Sequence, residues 1–286
     1  MKISYVFYSV VKFALIVTVF TSCSSGSNKS NDDNSPSLSD KESCNIIGLI
    51  PKIIGGRTCQ SPEKSAIVRV IEVTANDVTG ICTGSLIAPS IVLTAAHCIN
   101  DSAFRLGAVD YIIIIGEPGN AQGVISTLVS IPPGFGLPEN SDRLFNDVAL
   151  LTLEKPFFNI TPLPILASRQ PKNGEDGFVY GYGKRVEGES EAGIDAATLE
   201  AGSMRVEEVT PNHIFVEFQK GGVNVCNGDS GGPLIVLVDG TPAIAGVVSQ
   251  GSVLGCYPGD VTTFTNLQSE QVYNWLKTVE KAVTFR

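Results

Sequence analysis

Residues 226–233 read CNGDSGGP, in which Ser230 follows an aspartate and is surrounded by three glycines. Glycine permits tight turns and close backbone approach that a β-carbon would hinder, so the stretch predicts a compact turn presenting the Ser230 hydroxyl. Such turns are also common between strands that carry no chemistry. The meaning of this stretch therefore depends on the other motifs in the chain.

Two upstream motifs contain the residue types that can activate a serine. TAAHC spans residues 94–98 and NDVALL spans residues 146–151, so the order along the chain is His97, Asp147, Ser230. A serine hydroxyl is a poor nucleophile at neutral pH and needs a neutral imidazole to accept its proton. A carboxylate on the other ring nitrogen fixes the tautomer of that imidazole.

The composition is that of an acidic globular protein. The 286 residues are 43% hydrophobic and 17% charged with a net charge of −9, which excludes a largely disordered chain, a collagen-like repeat and a membrane protein of several spans. An acidic chain also lacks the basic face that nucleic-acid binding requires. A histidine-dependent enzyme must use His97 or His213, because the chain has two histidines. His213 follows a Pro-Asn turn, where we expect a surface or strand-entry residue.

The N-terminal segment predicts export. Residues 1–22 contain a short apolar run, FALIVTVF, far below the roughly 20 residues of a membrane span, which is typical of a signal peptide. VFTSC, ending at Cys23, resembles a bacterial lipoprotein box, so Cys23 is predicted to carry a lipid; the alternative is a plain signal cleaved nearby. Residues 23–52 are rich in Ser, Asn and Asp over much of their length and are predicted to be a flexible tether and propeptide. The expected location is the bacterial outer membrane, periplasm or cell surface through this anchor, or the secreted fraction.

From about Cys44 onwards the pattern indicates a β protein. Short runs rich in Val and Ile, such as residues 66–73 and 111–115, are bounded by Gly, Pro, Asn and Asp. This pattern is typical of an all-β sandwich or a pair of barrels. A helical pattern of apolar residues occurs at residues 268–281.

The three motifs, together with IIGG at residues 53–56 directly after Lys52, resemble those of the trypsin-like serine proteases of the chymotrypsin fold. The resemblance covers about residues 53–286, with the motifs in the family's order. It implies an all-β domain of two six-stranded antiparallel Greek-key barrels with a C-terminal helix. It also implies a serine endopeptidase that acts on protein or peptide substrates and needs no cofactor.

The resemblance assigns roles to the motif residues. His97 would be the general base, Asp147 would orient it, and Ser230 would be the nucleophile that forms the acyl-enzyme. The backbone amides of Gly228 and Ser230 would form the oxyanion hole.

The family's activation mechanism is also implied. Cleavage after Lys52 would free the ammonium group of Ile53, which the family places against the aspartate preceding the serine, here Asp229. Because a buried carboxylate without a partner is costly, the pocket would become ordered only after cleavage. The chain is therefore expected to be a zymogen whose partner is an activating protease of trypsin-like specificity.

The resemblance pairs four of the seven cysteines, Cys82 with Cys98 and Cys226 with Cys256. Cys59 matches a family cysteine whose partner should lie near residue 200, where this chain has none. With Cys23 lipidated, the remaining thiol is that of Cys44. We therefore predict a Cys44–Cys59 bridge that keeps the propeptide attached after cleavage.

The specificity pocket departs from the family pattern. Asn224 lies six positions before the serine, at the pocket floor, where an aspartate would select Lys or Arg. Val225 would narrow the pocket and favour small or medium apolar side chains. Asp260 leaves the preferred substrate side chain open. The stretch around Asp260 is longer than usual in the family and could bring a carboxylate to the pocket floor from the opposite wall. In place of the family's Ser-Trp-Gly substrate-binding strand, the chain has Ser249, Gln250 and Gly251.

Two other functions remain open besides the endopeptidase. One is a catalytically inactive, protease-like binding protein, against which the intact motifs argue. The other is an esterase that uses the same triad. No metal is predicted, because the linker between Ile115 and Val124 is too short for the family's calcium loop, although Glu117 stands where one ligand could be. We expect a monomer.

Overall fold

The computed structural model describes residues 44–47, 50–51, 59–60, 62–116, 121–184, 198–217, 224–252, 260–279 and 283–286. These residues belong to one unit of the chain, Pro36–Arg286. Several predictions fall outside the described residues: the signal peptide, the lipid site Cys23, the activation residues Lys52 and Ile53, the linker residue Glu117, and Cys256. Within the described ranges, no helix is both long and apolar enough to cross a membrane.

Two short strands, β1 (Ile50–Pro51) and β2 (Cys59–Gln60), pair antiparallel ahead of the first barrel. Six strands then close that barrel in the order β3-β4-β5-β8-β7-β6. They are β3 (Ile67–Val73), β4 (Val78–Ala88), β5 (Ile91–Thr94), β6 (Asp110–Ile115), β7 (Gln122–Ser130) and β8 (Ala149–Leu153). β-Branched Val and Ile pack well on a pleated surface, and Ile67, Val68 and Ile113 are fully buried in this barrel.

Seven antiparallel strands form the second sheet, in the order β10-β9-β13-β14-β15-β12-β11. They are β9 (Asp176–Gly181), β10 (Glu200–Arg205), β11 (Glu208–Val209), β12 (His213–Glu217), β13 (Pro233–Val238), β14 (Thr241–Gln250) and β15 (Val261–Asn266). The predicted two-barrel, all-β fold is confirmed. The second sheet has one strand more than predicted, because the two-residue β11 extends its edge.

The helices are short. α1 (Asp101–Arg105) follows the turn that carries His97, and α2 (Glu270–Val279) lies near the C-terminus, where the sequence predicts a helix. Val272 and Leu276, four residues apart on one face of α2, are fully buried. The predicted C-terminal helix is thus confirmed.

Candidate active site

His97 and Asp147 are brought together by the pairing of two neighbouring strands. His97 lies in a short 3-10 turn after β5, and Asp147 lies just before β8, which pairs with β5 through Thr94 and Ala149. His97 Nδ1 is 2.7 Å from Asp147 Oδ2, and the backbone N–H of His97 donates to Asp147 Oδ1 at 2.8 Å. These two bonds to one carboxylate fix the imidazole with a proton on Nδ1, so that Nε2 is the basic nitrogen.

Two side chains of the second sheet hold the Asp147 segment in place. Ser249 Oγ donates to Asp147 Oδ2 at 2.5 Å, and Thr265 Oγ1 donates to the backbone carbonyl of Asp147 at 2.9 Å. The Asp147 side chain is fully buried. Sequence reasoning treated Ser249 as part of the substrate-binding strand and did not consider Thr265, so both contacts are new. Ser249 gives the carboxyl group a neutral hydrogen-bond donor, and Thr265 holds the backbone of the segment.

The loop before Asp147 is tied to the end of β14 by Gln250. Leu144 N donates to Gln250 Oε1 at 2.9 Å, and Gln250 Nε2 donates to Asp142 O at 2.9 Å. The aromatic side chain of the family's motif is therefore replaced by an amide that spans two backbone groups. Such a pair of hydrogen bonds limits the motion of the loop that carries Asp147.

His213 supports the same loop from β12. Its Nε2 lies 2.8 Å from the carbonyl oxygen of Leu144, and its ring meets that of Phe145 edge-on at 4.9 Å. His213 begins β12, in agreement with a strand-entry position, but it is 6% exposed, so a surface position is wrong. The phenyl ring and the carbonyl cover it. Of the two histidines, His97 is the one that contacts Asp147.

Ser230 lies on the glycine-rich turn before β13, which packs directly on the first barrel. Thr83 N donates to Ser230 O, and Thr83 Oγ1 donates to Gly228 O, both at 2.8 Å. A β-carbon on Gly231 would lie 2.1 Å from Thr94 Oγ1, so only glycine permits this approach. The turn is thereby fixed against β5, the strand that leads to His97.

Within the described residues, the groups of this turn that the sequence predicts to be catalytic have no hydrogen-bond partner. None of the hydrogen bonds there uses the amide of Gly228 or Ser230 as donor, or joins Ser230 Oγ to His97 Nε2. Gly228 has a φ of 96°, a conformation that favours glycine. Catalytic hydrogen bonds are often long or poorly aligned in enzymes without bound substrate, so this absence does not argue against a catalytic pair.

Asn224 and Asp260 meet at the predicted pocket floor. Asn224 Nδ2 donates to Asp260 Oδ2 at 3.2 Å, and Thr262 Oγ1 donates to Asn224 Oδ1 at 3.1 Å. The structure therefore places the Asp260 carboxylate against the floor residue. Val225 is buried in the apolar cluster of the second sheet.

Comparison with known proteins agrees with this geometry. The model of the trypsin family matches residues 53–276. The chain belongs to the trypsin family. Trypsin of Xenopus laevis is 33% identical over 75% of this chain and 87% of its own length, and trypsin I-P1 of Gallus gallus is 30% identical over 79% and 88%. Chymotrypsin-C of Rattus norvegicus is 32% identical over 61% of this chain and 69% of its own length. As a member of the trypsin family, the chain is a serine endopeptidase.

Among the described residues, Asp229 is the carboxyl group whose pKa is clearly shifted. Its Oδ1 accepts from Gly183 N at 2.8 Å, and its Oδ2 accepts from Cys226 N at 2.9 Å. Burial raises the pKa of Asp229 to about 6, although these two amide bonds act in the opposite direction, and the charge of Glu200 adds to the increase. A cavity of about 140 Å³ adjoins Asp229 and is bordered by β9, β10 and Asn224.

The raised pKa of Asp229 predicts that the free energy of unfolding of the uncleaved protein depends on pH. A carboxyl whose folded pKa is about 6 instead of 3.8 binds its proton more tightly when folded. Its protonated form therefore stabilises the folded protein fully below the unfolded pKa of 3.8, and this contribution is lost as the pH rises through the folded pKa of about 6. The free energy of unfolding decreases by roughly 3 kcal/mol over this range. Asp229→Asn removes this titration. The free energy of unfolding of the variant minus that of the wild type should rise by roughly that amount between about pH 3.5 and 7. Urea unfolding at several pH values measures it, and a difference that is constant with pH would contradict it.

Disulfides join Cys44 to Cys59 and Cys82 to Cys98. The backbone N–H of Cys59 donates to Leu199 O at 3.1 Å, so Cys59 does lie beside the segment near residue 200 that provides no cysteine here. Its sulfur is bonded instead to that of Cys44. Cys226 is also disulfide-bonded.

Proposed function

We propose that this chain is an exported, lipid-anchored endopeptidase, made as a zymogen, that hydrolyses peptide bonds through His97, Asp147 and Ser230. The observation that carries the proposal is the contact of 2.7 Å between His97 Nδ1 and the buried Asp147 carboxylate, next to the turn that bears Ser230. In this arrangement a neutral imidazole has its basic Nε2 available on the side away from Asp147.

The reaction then follows from the proton positions. Ser230 Oγ attacks the scissile carbonyl carbon while its proton passes to His97 Nε2, and Asp147 stabilises the imidazolium that forms. The amides of Gly228 and Ser230 donate to the oxyanion, which is worth roughly 100- to 1,000-fold in turnover per donor. His97 then protonates the leaving amine, which departs and leaves an ester on Ser230. Water, deprotonated by His97, hydrolyses that ester.

Activation would supply a cation to Asp229, which has no cationic partner among the described residues. Cleavage after Lys52 frees the α-ammonium group of Ile53. The cavity beside Asp229 offers a place for this new N-terminus, and an ion pair there would offset the cost of burying the carboxylate. Because Asp229 directly precedes Ser230, its pairing would order the oxyanion-hole turn.

The Cys44–Cys59 bridge spans the activation site and would make the mature enzyme a two-chain molecule. Cys44 lies before Lys52 and Cys59 after Ile53. A lipid on Cys23 would thus keep the cleaved enzyme on the bacterial outer membrane or cell surface. Without that lipid the monomeric enzyme would occupy the periplasm or be secreted.

Electrophoresis tests this attachment. After cleavage at Lys52, the propeptide and the protease domain should migrate together without reductant and separate when reductant is added. In a Cys44→Ser variant they should separate under both conditions, because Cys59 then has no partner. Separation of the wild-type chains without reductant would show that the bridge does not hold them.

A fluorophosphonate probe tests the proposed chemistry after treatment with trypsin. We expect covalent labelling of wild-type protein, N-terminal sequence beginning at Ile53, and no labelling of Ser230→Ala. An unlabelled wild-type protein with that N-terminus would favour the inactive binding protein. Hydrolysis of small esters but of no peptide or protein substrate would favour the esterase.

A further inference from the structure

We propose that Cys82, Cys98 and His97 bind Zn²⁺ once a dithiol has reduced the Cys82–Cys98 disulfide, and that the bound ion blocks the active site. Each of the three side chains brings one ligand atom, and these atoms all lie within 4.8 Å of one another. The metal site does not depend on the proposed endopeptidase function, whereas the inhibition rests on it. The disulfide thus decides whether His97 serves catalysis or binds a metal ion.

Two neighbouring elements of the first barrel set the positions of the ligands. Cys82 lies on β4, and His97 and Cys98 lie in the 3-10 turn after β5, which pairs with β4. Cys98 Sγ is 3.8 Å from His97 Nε2. In a tetrahedral zinc site with the usual bond lengths, a sulfur and a nitrogen ligand are about 3.6 Å apart. These two atoms therefore have nearly the required separation before any metal binds.

The two sulfur atoms must move apart after reduction. Two thiolates on one zinc ion are about 3.8 Å apart, which is far more than a disulfide bond. The Cα atoms of Cys82 and Cys98 are 6.3 Å apart, so rotation about the Cα–Cβ bonds gives this separation while the backbone stays in place. Both residues are partly buried and pack against the apolar core. The reduced side chains therefore remain beside His97.

Asp147 prepares His97 to bind a metal ion. Asp147 Oδ2 lies 2.7 Å from His97 Nδ1, so Nδ1 has the proton and Nε2 presents its lone pair. A metal-binding histidine usually donates its other ring N–H to a carboxylate in this way, which makes the ligand nitrogen more basic. The contact that suits Nε2 to accept the proton of Ser230 thus also suits it to bind a metal.

The chemistry of the three ligands favours zinc. Thiolate and imidazole are ligands of Zn²⁺, whereas Ca²⁺ and Mg²⁺ prefer oxygen. The absence of a calcium loop therefore does not exclude this site. Three protein ligands leave the fourth position of zinc open to water. Zinc on Nε2 occupies the nitrogen that must accept the proton of Ser230, so the metal-bound enzyme cannot form the acyl-enzyme.

A dithiol supplies the electrons and protons for the first step. It transfers two of each to the protein, so that the bond between Cys82 and Cys98 breaks into two thiols while the dithiol closes to its own disulfide. Zn²⁺ then displaces both thiol protons, because the thiolate is the form that binds metal. Access favours this bond over Cys44–Cys59, whose two residues are fully buried, whereas Cys82 and Cys98 are partly exposed.

Cobalt binding to the uncleaved, full-length Ser230→Ala chain tests the site without catalysis. Co²⁺ takes the place of zinc in such sites, and its bonds to thiolates give a charge-transfer absorption band. After mild reduction and anaerobic removal of the dithiol, we expect about one Co²⁺ per chain with this band, and Zn²⁺ should displace it. The oxidised chain should show no band. Alkylation followed by mass spectrometry should identify Cys82 and Cys98 as the reduced residues.

Matched histidine variants show whether His97 is a ligand. In the reduced Ser230→Ala chain, His97→Gln should weaken Co²⁺ binding by about tenfold or more. His213→Gln makes the same change in the histidine that lies against Leu144, and it should leave the affinity unchanged. Equal affinity of His97→Gln and the parent chain would rule out the site.

Two variants that need no reductant guard against unfolding of the reduced chain. Cys82→His and Cys82→Ser both lose the bond to Cys98, but only Cys82→His keeps three ligands. With the other disulfides intact, Cys82→His should bind Co²⁺ about tenfold or more tightly than Cys82→Ser. Equal binding by these two variants, together with no binding by the reduced parent, refutes the proposal.

Kinetics of the trypsin-treated wild type test the inhibition. Zinc at about ten times its dissociation constant leaves roughly a tenth of the sites empty, so kcat/KM of the reduced enzyme should fall about tenfold. The chelator EDTA should restore it, and the oxidised enzyme should be unaffected by the same zinc concentration. Equal inhibition of both forms, or a loss that EDTA does not reverse, contradicts the inhibition. If the fluorophosphonate labels no form of the protein while cobalt binding follows His97, the proposed catalysis fails and the metal site stands.

Discussion

Asp147→Asn is expected to lower kcat/KM for peptide hydrolysis by about 10,000-fold while the domain remains folded. The reason lies in the hydrogen bonds of the two carboxylate oxygens. The backbone N–H of His97 donates to Oδ1 of Asp147, and a backbone N–H cannot accept a hydrogen bond. The single oxygen of asparagine must therefore remain there, and its NH₂ group then faces His97 Nδ1. Nδ1 becomes an acceptor, the proton moves to Nε2, and Nε2 can no longer accept the proton of Ser230.

Ser249→Ala provides the control for this tautomer argument. Ser249 Oγ donates to the same Oδ2 that receives His97 Nδ1, but its removal leaves the carboxylate and the tautomer unchanged. Loss of one hydrogen bond to a charged group costs about 1.5–3 kcal/mol at most, so activity should fall by roughly 10- to 100-fold. Steady-state kinetics on one peptide substrate measures both variants. Similar losses in the two would show that Asp147 does not act through the tautomer.

Much of the fold and the chemistry could be predicted from local patterns. The Val- and Ile-rich runs predict strands because their spacing and boundaries are local properties, and the confirmed C-terminal helix follows from apolar residues on one face. His97, Asp147 and Ser230 each lie in a short motif that is recognisable without the fold. The two-residue β11 has no such pattern, since its pairing with Ile214 and Phe215 is decided by its neighbours.

The supporting contacts could not be predicted, because they join residues far apart in the chain. Thr265 reaches the carbonyl of Asp147 across 118 positions, and Gln250 reaches Leu144 across 106. Such contacts depend on strand register. Between β14 and β15 the register shifts after Val248, so the relative positions of Gly251 and Asp260 could not be counted from the sequence.

The contact between Asn224 and Asp260 shows why a single pocket position is a poor guide to selectivity. Asn224 alone indicates an uncharged floor. Its side-chain amide, however, donates to the buried carboxyl group of Asp260, so the polar groups at this position come from both residues.

Asp229→Asn is expected to lower kcat/KM of the enzyme cleaved after Lys52 by roughly 100- to 1,000-fold. The neutral amide cannot form the proposed ion pair with the ammonium group of Ile53, so cleavage would no longer order the turn of Ser230. Kinetics after trypsin treatment, with the N-terminus determined by sequencing, measures the loss. Activity within about tenfold of wild type would show that the ion pair does not drive activation.

A variant that cannot be cleaved after Lys52 separates loss of the ion pair from a general loss of stability. The carboxylate of Asp229 accepts from both Gly183 N and Cys226 N, whereas asparagine can accept both only through its one oxygen. Asp229→Asn therefore has a structural cost of about 1–3 kcal/mol that does not depend on cleavage. Lys52→Gln leaves Asp229 intact but resists trypsin at that bond. Because both variants lack the ion pair, Lys52→Gln and cleaved Asp229→Asn should share the same low activity, although only the second has a free Ile53.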